Sequence, residues 1–263
     1  MMPLAGLVIG LVIHFLGKPG EIGVIVDNIH FRGGRLDARK NPSMILTSLV
    51  GISAGGSAGP EAPLVQVTGS FGTWFAGRMG IEGENLRSMS IAGMAAGFTA
   101  LFGAPLGGAM FALEILHHQH VLEYYEALLP AIVSSCASYI VYTMITHLGI
   151  APAWHFPQYR LQNIDDFALD IVFGIIGAMA GWLFMGIFRA GDRKFCPPSR
   201  TNLSADNSAV TRTPVSTTLL LSKLSGFSPL TPILNARLIG FFLAPKAPLI
   251  KSQLKSQPEA ITE

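Results

Sequence analysis

The sequence predicts an all-α integral membrane protein whose central helices are short, tilted and re-entrant rather than fully spanning. Three observations carry that expectation. Only 13% of the 263 residues are charged and 50% are hydrophobic, with a mean hydropathy of +0.46, whereas a water-soluble domain carries nearer ~25% charged residues. The 29 glycines suit transmembrane helices, which approach one another through small residues. Apolar stretches recur at roughly 3–16, 44–58, 64–80, 88–102, 105–116, 127–149 and 167–189, separated by short connections. A net charge of +2 offers no basic surface for nucleic acid. Two cysteines, Cys136 and Cys196, make neither a disulfide framework nor a CxxC metal motif.

The first run, PLAGLVIGLVIHFLG, follows no basic leader and precedes no small-residue cleavage site, so it does not read as a secretory signal. At about 15 residues it is shorter than the ~20 needed to span. It reads as a partial span packed in protein, or as part of a longer reading frame. The loop DNIHFRGGRLDARKNP, 27–42, holds Arg32, Arg35, Arg39 and Lys40, which favours the cytoplasmic side. The next four apolar segments are short and broken by Gly and Pro. Irregular backbone at membrane depth survives only inside protein or along a wet cavity, and a cluster of interrupted half-helices points to a transport site. GIEGENLR, 80–87, is a polar turn. The segments 127–149 and 167–189 are long enough to span alone. The connection 150–166 mixes aromatics and prolines as interfacial loops do. Beyond residue 195 the composition changes to Ser, Thr and Pro without periodicity, which reads as a disordered or non-native tail over 196–263; ARLIGFFLAP within it is too short to span.

The stretch SAGGSAGPEAPLVQVTGS, 53–70, sets Glu61 between two prolines in a run otherwise of glycine, alanine, serine and aliphatics. Pro63 suits the opening of a helix, because its fixed φ fits and its missing N–H would be unpaired there anyway. The predicted helix runs from Leu64 to Met79. Free N–H groups and the helix dipole make such an end attractive to anions. Gly55, Gly56 and Gly59 allow backbone to come close to whatever binds. Glu61 is then an anion tethered at an anion site: charged, it blocks the place; protonated or swung away, it vacates it. The alternative is that Glu61 only complements the helix N-terminus from an exposed loop. Intramembrane carboxylates are functional by default, which favours the gate.

GPEAPLVQVTGS resembles the glutamate-gate motif of the CLC chloride channel and transporter family, written GREGP followed by an aliphatic, Gln and small residues. The motif's glutamate falls on Glu61, its proline on Pro63 and its glutamine on Gln66. Pro60 and Ala62 replace the Arg and second Gly, a variant associated with a bacterial branch. IAGMAAGFTALFGAPLGGAMFALE, 91–114, resembles the family's next segment, where small residues pack a helix pair and APL opens the second helix. The resemblance covers about residues 1–195 and implies the first inverted repeat of a CLC-type fold. It implies passive, glutamate-gated transport of chloride or similar small anions across the inner (plasma) membrane, by a multi-pass homodimer in which each subunit keeps its own pore. Residues 105–145 correspond to part of the dimer interface. Glu61 would be the gate, with Gly59, Pro60, Ala62, Leu64 and Val65 forming the anion-binding backbone and Pro63 and Gln66 supporting it. No cofactor, no metal and no enzymatic activity are expected; the partners are chloride and the lipid bilayer.

The sequence also departs from the family pattern. The family holds its central chloride partly with a serine hydroxyl in GSGIP; the matching LGKPGEIG, 16–23, has none, and the first serine is Ser43. Donors there would be N–H groups near Gly20 to Ile22, or Lys18, which otherwise reads as a snorkelling interfacial lysine. Proton-coupled members carry a second, inner glutamate as the latter of an adjacent acidic pair. Here the pair reads Glu114-Ile115, so the relay position is lost at Ile115 and a passive channel is favoured over a chloride/proton antiporter. The GxFxP segment and inner tyrosine of a second repeat are not found in 196–263, where Gly226-Phe227-Ser228-Pro229 is only a superficial likeness. A non-conducting truncated fragment is therefore an alternative. A rival of another class rests on EILHHQHVLEYYE, 114–126. Glu114 and His117 have the Glu-x-x-His spacing of di-iron bundles, with Glu123 and Glu126 beyond. A second such motif is missing, and His14, His30, His147 and His155 lie in unrelated contexts, so a polar helix end at the membrane surface is the favoured reading.

Overall fold

Local chemistry sets where each helix begins and stops. In a computed structural model that describes residues 2–20, 25–26, 28–29, 33–56, 59–115, 121–147, 164–195, 234–236 and 238–239, the elements are α1 (Met2–Leu16), a 3-10 turn (Ala38–Lys40), α2 (Asn41–Ser53), α3 (Glu61–Arg78), α4 (Glu84–Phe102), α5 (Pro105–Ile115), α6 (Val121–Thr146) and α7 (Ile164–Phe195). There is no strand among the described residues. The Asp37 carboxylate accepts from the Arg39 N–H at 2.9 Å and opens the 3-10 turn. Pro42 then sits in the first turn of α2, where its missing N–H costs nothing. α3 carries Glu61 in its first turn and Arg78 in its last, each the sign that its end of the helix dipole favours. α4 stops at Gly103, which is left-handed (φ +63) and returns its N–H to the Thr99 carbonyl at 2.8 Å; glycine pays no Cβ penalty there. Pro105 opens α5 two residues later.

Packing follows from small residues. α3 and α4 run antiparallel and meet backbone to backbone: a Cβ added at Gly93 would overlap the Thr68 carbonyl and sit 3.0 Å from Gly69 Cα, and one at Gly72 would overlap the Met89 carbonyl. Such close approach needs glycine on the facing helices. α6 lies along α4 in the same direction, with the Ser134 hydroxyl donating to the Ala92 carbonyl (2.6 Å) and Ser138 to Ala96 (2.8 Å). The core between α4, α5 and α6 centres on Phe98, which is edge-on to Phe111 (4.6 Å between centroids) and stacked with Phe102 (6.4 Å). Met94, Ile115, Ala131, Ile25, Val26 and Ile29 complete it.

The outward surface is apolar. Glu126–Thr146 of α6 is 21 residues long and apolar enough to cross a membrane, with 11% of it buried, and α7 contains the 17-residue apolar stretch Ala168–Phe184. Leu129, Met144 and Ile145 on α6 and Phe173, Met179 and Leu183 on α7 are exposed, as side chains facing lipid would be. In the stretch read as a tail, residues 234–236 and 238–239 are helical. They lie against α7, where Gly174 meets Ala236 and Ile239, and the Asn235 amide reaches Asp170 Oδ2 at 3.5 Å. The composition of 196–263 gave no sign of this contact.

Candidate functional site

The first turn of α3 is short of donors. A helix leaves its first four N–H groups without intrahelical partners, and here Pro60 at the N-cap and Pro63 in the first turn have none to offer. The Leu64 N–H is already bonded to the Pro60 carbonyl at 3.0 Å, and Val65 takes the Glu61 carbonyl in the regular helical pattern. The donors left over are the N–H groups of Glu61 and Ala62. The sequence places the opening of this helix at Pro63 and counts Leu64 and Val65 among the donors. The helix opens two residues earlier, at Glu61. Proline is tolerated anywhere in a first turn, so its position alone did not fix the start.

Glu61 is half-buried, and its carboxylate folds back over the preceding glycine: a Cβ at Gly59 would coincide with both carboxylate oxygens. Only glycine leaves that space open. Among the described residues none donates a hydrogen bond to this carboxylate.

Gln66 sits one turn further on, 3% exposed, with its amide Nε2 donating to the Asp37 carbonyl at 3.0 Å. It is one of a row. Asn41 Nδ2 donates to Ser70 Oγ (2.9 Å), the Leu36 N–H donates to Thr73 Oγ1 (3.2 Å), and Ser90 Oγ of α4 donates to the Gly34 carbonyl (2.7 Å). Residues 34–41 are thereby strapped along one face of α3 and onto α4. The sequence motif points to Gln66 alone. The signal for the rest is present in the sequence: Gln66, Ser70 and Thr73, spaced i, i+4, i+7, put one polar stripe along the helix.

The remaining predicted positions separate. Lys18 is exposed and Gly20 half-buried; Glu21 and Ile22 lie outside the described residues. The Ser43 hydroxyl, 1% exposed, is spent on the Gly17 carbonyl at 2.6 Å. Ile115 ends α5 with 1% exposure, packed in the Phe98 core, and Glu114 beside it is also buried. Glu126 is exposed, and His117, His30, His155, Cys196 and Gly226–Pro229 lie outside the described residues, as does the Glu123 side chain. Among the described residues no three His, Cys, Asp or Glu side chains gather into a metal site.

Comparison with known proteins gives this geometry a setting. The family model described as voltage gated chloride channel matches residues 5–201. A chloride/fluoride channel protein of Pseudomonas syringae pv. tomato is 34% identical over 183 residues, covering 68% of this chain and 40% of that one. An uncharacterized protein of Methanocaldococcus jannaschii is 31% identical over 138 residues, covering 52% of this chain and 33% of its own. The chain thus spans less than half the length of either relative. A crystal structure of a CLC-type fluoride/proton antiporter superposes with a TM-score of 0.79 at 17% identity, covering 95% of this chain and 87% of that one; the likeness is one of fold. The helical fold is of CLC type, and the match over residues 5–201 makes the chain a member of the voltage-gated chloride channel family, an integral membrane family of ion transport proteins.

Proposed function

We propose that the chain contributes to passive movement of chloride or a similar small anion across a membrane, with Glu61 as the gate at the start of α3. The observation that carries this reading is the Glu61 carboxylate folded over Gly59, at the mouth of a first turn that leaves two N–H groups unspent. A halide and the carboxylate compete for those donors and for the positive end of the helix. Gly59 leaves room for the exchange, and Gln66 holds the first turns of α3 against the 34–41 strap. Pro60 and Pro63 limit the donors to Glu61 and Ala62.

Fluoride joins chloride as a candidate, since the Pseudomonas relative is named for both. Uncoupled transport is favoured over antiport by Ile115, whose side chain has no proton to relay and is sealed in the Phe98 core. A homodimer in the inner membrane, with transport residues confined to 1–195, belongs to the same proposal.

The test is anion efflux from liposomes holding the purified chain, with proton movement recorded in parallel. Glu61→Gln is expected to leave an open, less pH-dependent conductance. Flux and pH response both unchanged in Glu61→Gln would remove the gate, and stoichiometric proton counter-flow would replace the channel reading with antiport.

A further inference from the structure

The end of α3 remote from Glu61 has its own chemistry. Phe71, Trp74, Phe75 and Arg78, at i, i+3, i+4 and i+7, form one outward stripe. Trp74 is 55% and Phe71 62% exposed, stacked with centroids 5.5 Å apart, and the Arg78 guanidinium carbon lies 5.9 Å from the Trp74 ring centroid. Arg78 is not needed to close the helix, because Met79 returns its N–H to Phe75 and Ala76 and Ile81 returns its own to Ala76 at 2.9 Å. The nearby Glu84 is paired with Arg87 at 2.7 Å. A helix of 18 residues is about 27 Å long, close to the ~30 Å thickness of the hydrocarbon layer, and the polar turn at 80–83 follows at once. The first part of the 34–41 strap, tied to Thr73 and Ser90 through Gly34 and Leu36, runs along α3 a little over one turn before Arg78 and carries Arg35.

Each part of the stripe has a preferred depth in a membrane. Tryptophan settles at the boundary between acyl chains and headgroups. Guanidinium meets phosphate in a two-pronged, charge-assisted hydrogen bond, and clustered basic residues attract anionic lipid. We propose that the Phe71–Trp74–Phe75–Arg78 stripe is a binding site for an anionic phospholipid, the rings lying against its acyl chains and Arg78 holding its phosphodiester. The charge of Arg78, with Arg35 on the neighbouring strap, makes the site select anionic over zwitterionic headgroups.

Tryptophan is the natural reporter. Trp154→Phe with Trp182→Phe leaves Trp74 as the single tryptophan of the chain, which has 3. This variant is placed in vesicles of phosphatidylcholine containing equal fractions of either dibrominated phosphatidylglycerol or dibrominated phosphatidylcholine as quencher. The expected result is about fivefold enrichment of the phosphatidylglycerol beside Trp74, lost in Arg78→Gln and reduced by salt. Equal quenching by the two lipids overturns the site, as does a preference unchanged in Arg78→Gln. Protection of Trp74 from both lipids would mean that protein covers the stripe, and loss of the preference on adding inorganic phosphate would mean a soluble-anion site; either overturns the assignment. Where the single-tryptophan variant does not fold, native mass spectrometry of the unaltered chain and of Arg78→Gln reads the same question. More phosphatidylglycerol retained by the unaltered chain is expected, and equal retention overturns it.

Discussion

Gly93→Ala tests whether the contact between α3 and α4 is the joint that positions the gate. The added methyl would overlap the Thr68 carbonyl and press on Gly69 Cα at 3.0 Å. Both neighbours are backbone, so neither can rotate aside and the helices must separate. Overpacking of this kind costs about 1–3 kcal/mol. Gly77, on the partner helix α3, is the control: it faces open space with nothing within 4 Å, and Gly77→Ala gains about 0.5–1 kcal/mol from helix propensity. The same one-methyl change therefore carries opposite signs 16 positions apart. Thermal unfolding in detergent, followed by circular dichroism, is the assay. At about 2–4 °C per kcal/mol for a domain of this size, Gly93→Ala should melt about 2–12 °C lower than the unaltered chain and Gly77→Ala about 1–4 °C higher. A Gly93→Ala protein as stable as Gly77→Ala would refute the backbone contact and, with it, the argument that α4 holds α3 in place.

Two further substitutions separate the gate from its support. Gly59→Ala puts a methyl where the Glu61 carboxylate now lies, so the carboxylate is displaced outward; efflux and its pH dependence should shift toward those of Glu61→Gln with the melting temperature within about 2 °C of the unaltered chain. Flux indistinguishable from the unaltered chain would show that the folded-back carboxylate has no part in gating. Gln66→Leu keeps the volume but strands the Asp37 carbonyl, a loss of about 1–3 kcal/mol; limited proteolysis in the 34–41 strap should speed up before α3 itself unfolds, and an unchanged cleavage rate would refute the strap.

The punctuation of the chain was legible in the sequence because it is chemical. The Gly103-Ala104-Pro105 break, the polar turn at 80–83 and the small-residue faces of α3 and α4 follow from what glycine and proline permit. The isolated charge at Glu61 was equally plain, since a carboxylate amid glycine, proline and aliphatics has no solvated face to explain it. What the sequence does not show depends on groups distant along the chain. The 34–41 strap joins backbone carbonyls to side chains 29 to 56 positions away, and a carbonyl has no letter in a sequence. The use of Ser43 is hidden for the same reason: its acceptor is the backbone of Gly17. The helix start was misplaced because two prolines, three residues apart, both satisfy the rule for a first turn.

Those two prolines bear on what the proposed gate must overcome. The start of an α-helix ordinarily presents up to four free N–H groups; this one presents two, from Glu61 itself and Ala62. A partly buried helix end contributes up to ~2 kcal/mol toward a bound negative charge, and each charge-assisted hydrogen bond about 1.5–3 kcal/mol. Halving the donors therefore lowers the hold on any anion that reaches them, whether the mobile one or the Glu61 carboxylate turned onto them. The carboxylate has one advantage, its tether, which keeps it near the donors at no cost in translational freedom. The mobile anion has the other, since it sheds no side-chain rotamer on arrival. Competition at a weak site between a tethered and a free anion is set by the concentration of the free one and by the charge of the tethered one, so a gate built this way responds to both halide and pH. Stronger donors would shift the contest toward permanent occupancy by whichever anion arrived first; under the proposed gating, the proline at position 60 would keep this end of α3 on the responsive side of that balance.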